Sequence, residues 1–301
     1  MPPSQSSFVR SAKKFYKKLS FRALPIASIF GIFGGNLDVM AFFKQTVRFT
    51  SDAVGLERTL RFIQALCQTL AFYPLLLETL LMGRGKSRSR TKWVWGKGKG
   101  DLFADVQEGL GKARGELALG RRYLRFFNFV GRFEKAWDIF KYDSGLRMLI
   151  GVGKSGFMGA YLLLESLTIL DMMGVYTSPW AEFLLVEGNK FWFYALVVSI
   201  FGEFYELWYI CFSSSQPAAT SKSRTSEKSS TASSKEKSKR QWEKRSKIKH
   251  SVLRIVADAA DLFVPGAVTG WIPTDPGVVG VATMISTVLS SRDLWERAGR
   301  R

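Results

Sequence analysis

The sequence predicts an all-α membrane protein: long helices, one of them amphipathic and lying at the interface, and one to three embedded in the bilayer. Three observations predict this class. Between Arg114 and Phe140, cations and aromatic residues separate onto opposite sides of a helical period. Three further segments are apolar over roughly the 20 residues a bilayer span needs, yet each is interrupted by charges or prolines. The chain of 301 residues also carries 44 Lys+Arg against 25 Asp+Glu, a net charge of +19, while its 24 Phe and 9 Trp are concentrated in the apolar segments. Such an excess calls for an anionic partner. Aromatics held in apolar runs, apart from the basic ones, favour lipid over nucleic acid, so anionic phospholipid is the expected partner and no nucleic acid is.

Composition removes most chemistry. Cys67 and Cys211 are the only cysteines and His250 the only histidine, which leaves no disulfide framework and no Cys/His zinc site. His250 lies in a lysine-rich tract that suits a solvated imidazole. No catalytic constellation, metal site or cofactor motif follows, and the chain reads as a non-enzyme.

The first 37 residues contain no acid and alternate Arg10, Lys13, Lys14, Lys17, Lys18 and Arg22 with Phe8, Phe15, Tyr16, Leu19 and Phe21. Segment 1–37 reads as a basic amphipathic arm at a membrane surface, with a mitochondrial presequence as the alternative. Segment 38–82 is helical: Asp52 is a fitting N-cap, Leu56, Leu60, Ile63, Leu66, Leu70 and Tyr73 recur at helical spacing, and Pro74 should kink the helix before Gly83 ends it. Segment 83–113 opens on GRGKSRSRTKWVWGKGKG and reads as a flexible basic loop with Trp93 and Trp95 as interface anchors.

Segment 114–141 is the amphipathic helix. Arg114, Arg121, Arg125, Asn128, Arg132 and Lys135 recur at steps of 7, 4, 3, 4 and 3, which at about 100° per residue makes one narrow stripe. Leu119, Tyr123, Phe126, Val130, Phe133 and Trp137 fall opposite, widened by Phe127 and Phe129. This is the composition of a helix lying among headgroups, although a core-facing helix of a soluble bundle has the same period.

Segment 142–212 holds two apolar stretches. Leu146–Val175 contains Lys154, Glu165 and Asp171, and Phe191–Phe212 contains Glu203 and Glu206. Gly151, Gly153 and Gly156 spell G-x-G-x-x-G, but no strand precedes them, so nucleotide binding is a poor fit. Gly151, Ser155 and Gly159, spaced by four, instead make a small-residue stripe suited to helix association and hence to self-association of the chain. Ser213–His250, with 11 Lys+Arg against 3 Glu, reads as a disordered linker on the cytosolic side. Segment 251–301 supplies the third apolar stretch, Leu262–Ser291, broken by Pro265, Pro273 and Pro276. Its uncharged run Pro276–Ser291 has 16 residues, short for a span.

The serial order of these segments carries a resemblance. LRFIQALCQTLAFYP (Leu60–Pro74), GRRYLRFFNFVGRF (Gly120–Phe133), LLLESLTILDMMGVY (Leu162–Tyr176), NKFWFYALVVSIFGEFYELW (Asn189–Trp208) and the tail Arg254–Trp295, which closes on Asp293, Leu294 and Trp295, together resemble the peroxisomal biogenesis factor 11 family, and within it a fungal branch. The likeness runs from Asp52 to Trp295, with Ser213–His250 unusually long and the N-terminal arm outside the pattern. It implies a peroxisomal membrane protein that elongates, divides and proliferates the organelle. It also implies a membrane-bending amphipathic helix, self-association, a tail-anchored fission adaptor and a dynamin-type GTPase. On that likeness Arg114, Arg121, Arg122, Arg125, Arg132 and Lys135 would contact phospholipid headgroups. Leu119, Tyr123, Phe126, Phe127, Val130, Phe133 and Trp137 would insert among acyl chains. The alternative reading is a channel or solute carrier of a peroxisomal or mitochondrial membrane, with Lys154, Glu165 and Asp171 along its path.

Overall fold

A computed structural model describes residues 39–82, 99–213 and 230–300, and every regular element among them is an α-helix. The helices follow as α1 (Val39–Ser51), α2 (Ala53–Phe72), α3 (Pro74–Met82), α4 (Lys99–Arg125), α5 (Asn128–Tyr142) and α6 (Gly145–Leu167). After them come α7 (Ile169–Met172), α8 (Ala181–Ser213), α9 (Ser230–Asp261), α10 (Phe263–Thr269) and α11 (Pro276–Arg300). The chain divides after residue 46, and residues 47–301 form one compact unit, to which the following description refers. The arm 1–37 and the tryptophans Trp93 and Trp95 lie outside the described residues.

Two groups of helices make up this unit. In the first, α2 packs between α4 and α11; in the second, α6 packs between α5 and α8. Helices α9 and α10 join the groups by touching both α8 and α11. The break between α2 and α3 falls at Tyr73, where Pro74 predicts it, because proline cannot donate to the helical ladder. Among the described residues one helix is long and apolar enough to cross a bilayer: Ala181–Phe212, within α8. The third apolar stretch does not run as one helix: Gly270, at φ 76°, ends α10, and Pro273 and Pro276 precede α11, while Pro265 lies within α10.

Three expected segment boundaries change. The basic loop is helical from Lys99 onward, so α4 takes over the 99–113 part of it. The linker expected over 213–250 is helical from Ser230 as the first part of α9. The reason lies beyond the linker: α9 runs on to Asp261 and buries Ser251, Ala257 and Asp261 against α8 and α11, and a docked end lets good helix formers such as Lys, Glu and Arg continue the helix. The single amphipathic helix over 114–141 is instead two helices with a turn at Phe126 and Phe127. There the Ser166 hydroxyl donates to the Phe126 carbonyl at 2.7 Å, drawing that carbonyl toward α6. Thus α4 stays with α2 while α5 lies on α6.

The small-residue stripe on α6 is also occupied from within the chain. A Cβ placed at Gly151 would come within 2.9 Å of the Ile139 side chain, and one at Gly159 within 2.9 Å of the Phe133 ring. Ser155 between them is buried. These three positions let α5 approach α6, so the face expected to meet a second copy meets α5 instead. G-x-G-x-x-G is continuous helix, as the packing reading requires.

Burial departs from that of a water-soluble fold. Among the described residues as many polar or charged side chains are buried as large or small hydrophobic ones, thirteen of each with proline and glycine set aside, and the former include Glu57, Arg61, Arg121, Glu165 and Asp261. On α2 the buried face is Gly55, Glu57, Arg61, Ala65 and Thr69, while Ile63 and Leu66 face outward. On α8 the exposed face is Tyr194, Val197, Phe201, Phe204, Trp208 and Phe212, spaced by three and four and so continuous along one side. Charged residues are seldom buried unless paired, and monomers in water seldom expose a contiguous apolar face of this length. A chain with polar residues inside and a greasy exterior matches apolar surroundings.

Candidate functional site

The site has an inner and an outer part, both built on α4 and α5. The inner part is an ion-pair network between the two helix groups. Arg121 of α4 donates from Nε and Nη2 to Glu57 Oε1 of α2 at 3.0 and 2.9 Å, and from Nη1 to Gln64 at 2.7 Å. Arg125, one turn on, donates to Glu165 Oε1 of α6 at 2.8 Å and stands 4.0 Å from Glu57. The Tyr161 hydroxyl donates to the same Glu165 oxygen at 2.9 Å, and Arg122 Nε lies 3.5 Å from it. Arg61 pairs with Asp261 of α9 and sits over the Trp192 ring of α8 at 5.9 Å.

The electrostatics follow from crowding. Burial raises the Glu57 pKa, but Arg121, Arg58, Arg125 and Arg61 outweigh it and hold the carboxyl below its usual 4.5. Burial first, then repulsion from Arg125, pushes Arg121 down to about 10, with Glu57 opposing them. Both groups are therefore charged at neutral pH. Since the folded-state value of Glu57 lies below its ordinary value, its contribution to stability is fully present above about pH 4.5 and is lost as pH falls through the depressed value. The unfolding temperature in detergent should be flat from pH 7 to 5 and fall below that; Glu57→Gln should flatten the acid limb, and an unchanged limb in that variant would count against this assignment.

The outer part is an aromatic surface. Phe127 is 71% exposed, Trp137 58%, Val130 55% and Tyr123 47%, with Phe140 and Tyr142 extending the patch. Phe133 is 40% exposed while its ring also covers Gly159. Leu119 and Phe126 are half-buried. Trp137 and Phe140 stack at 5.9 Å, and the Lys141 ammonium lies 5.3 Å from the Trp137 ring centroid.

The cations expected on one outward stripe thus divide. Arg121 and Arg125 turn inward to carboxylates and are corrected from headgroup ligands to members of the network, while Arg122 also turns inward but reaches Glu165 only at 3.5 Å. Arg114, Arg132 and Lys135 remain exposed. Glu57, Gln64, Tyr161 and Asp261 are network members that the sequence reading did not single out. Glu165, which interrupts the apolar stretch of α6, is paired with Arg125. Glu165 and Lys154 line different cavities, and Asp171 accepts the Ser178 backbone N–H at 2.8 Å. Glu203 and Glu206 are paired with Arg254 at 3.2 Å and Arg147 at 3.3 Å.

The family model described as peroxisomal biogenesis factor 11 (PEX11) matches residues 104–295, well over half of the chain. The chain belongs to the PEX11 family. The match covers α5 to α10 entire, with most of α4 and α11, and so takes in the outer part of the site and, of the inner part, the members on α4, α6, α8 and α9 but not Glu57, Arg61 and Gln64 of α2. Members of the PEX11 family act in peroxisome proliferation and division and are associated with the peroxisomal membrane, and PEX11 is not a family of known enzymes. The family supports no mitochondrial placement. No curated protein and no solved structure matches the chain.

Proposed function

We propose that this PEX11 protein binds and curves the peroxisomal membrane through the aromatic surface of α4–α5, and so promotes peroxisome elongation and fission. One observation carries the reading: Tyr123, Phe127, Val130, Phe133 and Trp137 are exposed on a chain that buries Glu57, Arg61, Arg121, Glu165 and Asp261. Burying a large apolar side chain contributes about 1.5–3 kcal/mol gross, so even half-exposed rings together outweigh a surface cation, at about 1 kcal/mol and less in salt. The rings drive insertion. Arg132 and Lys135, which stay outside, set the preference for anionic lipid. Insertion to about 5–10 Å in one leaflet expands that leaflet and bends the sheet, while α8 anchors the protein across it.

Self-association would concentrate these wedges. With the α6 stripe taken by α5, the exposed face of α8 is the surface left for it. A tail-anchored fission adaptor and a dynamin-type GTPase are partners supported by the family resemblance, with the cation-rich N-terminal part of α9 on the cytosolic side.

The full chain reconstituted into vesicles containing anionic phospholipid should deform them into tubules. Phe127→Glu with Trp137→Glu should abolish tubulation while leaving the unfolding temperature close to the parent's, because both rings are exposed. Tubules formed by the double variant at parental yield would overturn the wedge.

A further inference from the structure

Between the two helix groups lies a cavity of about 550 Å³ lined by five arginines, Arg61, Arg114, Arg121, Arg122 and Arg125, and by one carboxylate, Glu165. Three of the five are answered within the chain: Arg61 by Asp261, Arg121 by Glu57 and Arg125 by Glu165. Among the described residues the other two are not. Arg122 reaches only the Glu165 oxygen already held by Arg125 and Tyr161, at 3.5 Å, and its buried Nη1 has no hydrogen-bond partner. Buried Arg125 Nε also lacks a hydrogen-bond partner. Arg114 makes no hydrogen bond or ion pair among the described residues. Two guanidinium groups beyond the available carboxylates, facing one cavity, form an incomplete network. Guanidinium forks match the oxygens of a phosphate in paired geometry.

The opposite wall carries Leu184 and Leu185 of α8, Val264 and Val268 of α10 and Val279 of α11, interspersed with uncharged polar groups such as Gln68, Asn189 and Thr283. A volume of this size is ordinary for a small-molecule site. We propose that the cavity binds a phosphate-bearing anion, with Arg114 and Arg122 supplying the unanswered charge. Its two walls suit a phosphate joined to an apolar body, which places the phosphomonoester of a lipid against the arginines and its glyceryl and acyl carbons against α8 and α10. A soluble organic phosphate presents the same anion and differs only in lacking those carbons. The site is separate from the aromatic surface and does not rest on the wedge.

Full-length protein in phosphate-free, non-ionic detergent is titrated with dihexanoyl phosphatidic acid, glycerol 3-phosphate and dioctanoylglycerol, and bound ligand is counted by native mass spectrometry. Saturable binding of one phosphatidic acid is expected, weakened tenfold or more by Arg114→Gln with Arg122→Gln, and no binding of the phosphate-free diacylglycerol. Glycerol 3-phosphate binding as tightly as phosphatidic acid, with the same loss in the variant, upholds the anion site and assigns it a soluble ligand. Arg114→Gln alone guards against misfolding, since that side chain is exposed and unpaired, and it should weaken binding measurably. Lys135→Gln, on the outer surface, and Phe127→Glu with Trp137→Glu should bind as the parent does. Binding of neither phosphate, parental affinity in the arginine variants, or equal loss with Lys135→Gln overturns the proposal.

Discussion

Replacing Glu57 by Ala should destabilise the protein by about 3–5 kcal/mol, the cost of leaving a buried charge without its partner. Arg121 is only 8% exposed, and its remaining neighbours Arg125 and Arg61 repel it. The Gln64 carbonyl, at 2.7 Å from Nη1, satisfies one donor but supplies no negative charge. The guanidinium must then be hydrated or expelled, and either response separates α4 from α2. Removing both charges together is a different experiment. Glu57→Leu with Arg121→Met replaces the pair by apolar groups of similar reach, and such replacements are often neutral or stabilising. The double variant should therefore regain most of the stability lost in the single one, measured by denaturant unfolding in detergent with helicity as the signal. A Glu57→Ala protein within about 1 kcal/mol of the parent, the size of an ordinary substitution, would show that the network does not hold the two helices together.

The helical class, the break at Pro74, the apolar character of α8 from Phe191 onward and the separation of cations from rings around α4 and α5 are all legible in the sequence. Each is set by local spacing. What covers a face is set elsewhere. Arg121 and its acceptor Glu57 are 64 residues apart, and Arg125 and Glu165 are 40 apart. A periodic cation stripe therefore looks like a solvated face until the carboxylates opposite it are in place. The α6 stripe behaves alike: Gly151, Ser155 and Gly159 announce a close helix contact, and only the turn at Phe126 and Phe127 decides that α5 makes it. Residues 230–250 look like a linker because composition weighs a segment by what it can bury itself, whereas α9 is anchored by Ala257 and Asp261 farther along. Glu165 marks the edge of legibility. A lone carboxylate in an apolar helix signals that a partner exists, but not which of the chain's many arginines it is.

The contact of α2 with α11 is the second place where one substitution should have a large effect. A Cβ at Gly280 would lie 2.4 Å from Thr69 Oγ1 and 3.1 Å from the Ala65 carbonyl oxygen. Neither neighbour is free to yield: the Thr69 hydroxyl donates to that same carbonyl at 2.8 Å, and both residues are buried. Gly280→Leu therefore forces the helices apart, straining the bond from Gln68 Nε2 to the Pro276 carbonyl at 2.6 Å. Overpacking of this kind costs about 1–3 kcal/mol, and more where backbone must move. The matched control is Gly131→Leu on α5, where a Cβ meets nothing within 4 Å; it should be neutral or stabilising, because leucine favours a helix over glycine by roughly 1 kcal/mol or less. If steric contact is the cause, Gly280→Ala and Thr69→Ala should couple. Removing Oγ1 relieves the shorter clash, so the double variant should be more stable than the sum of the two single losses predicts. Strict additivity of the two would mean that α2 and α11 do not touch at this point.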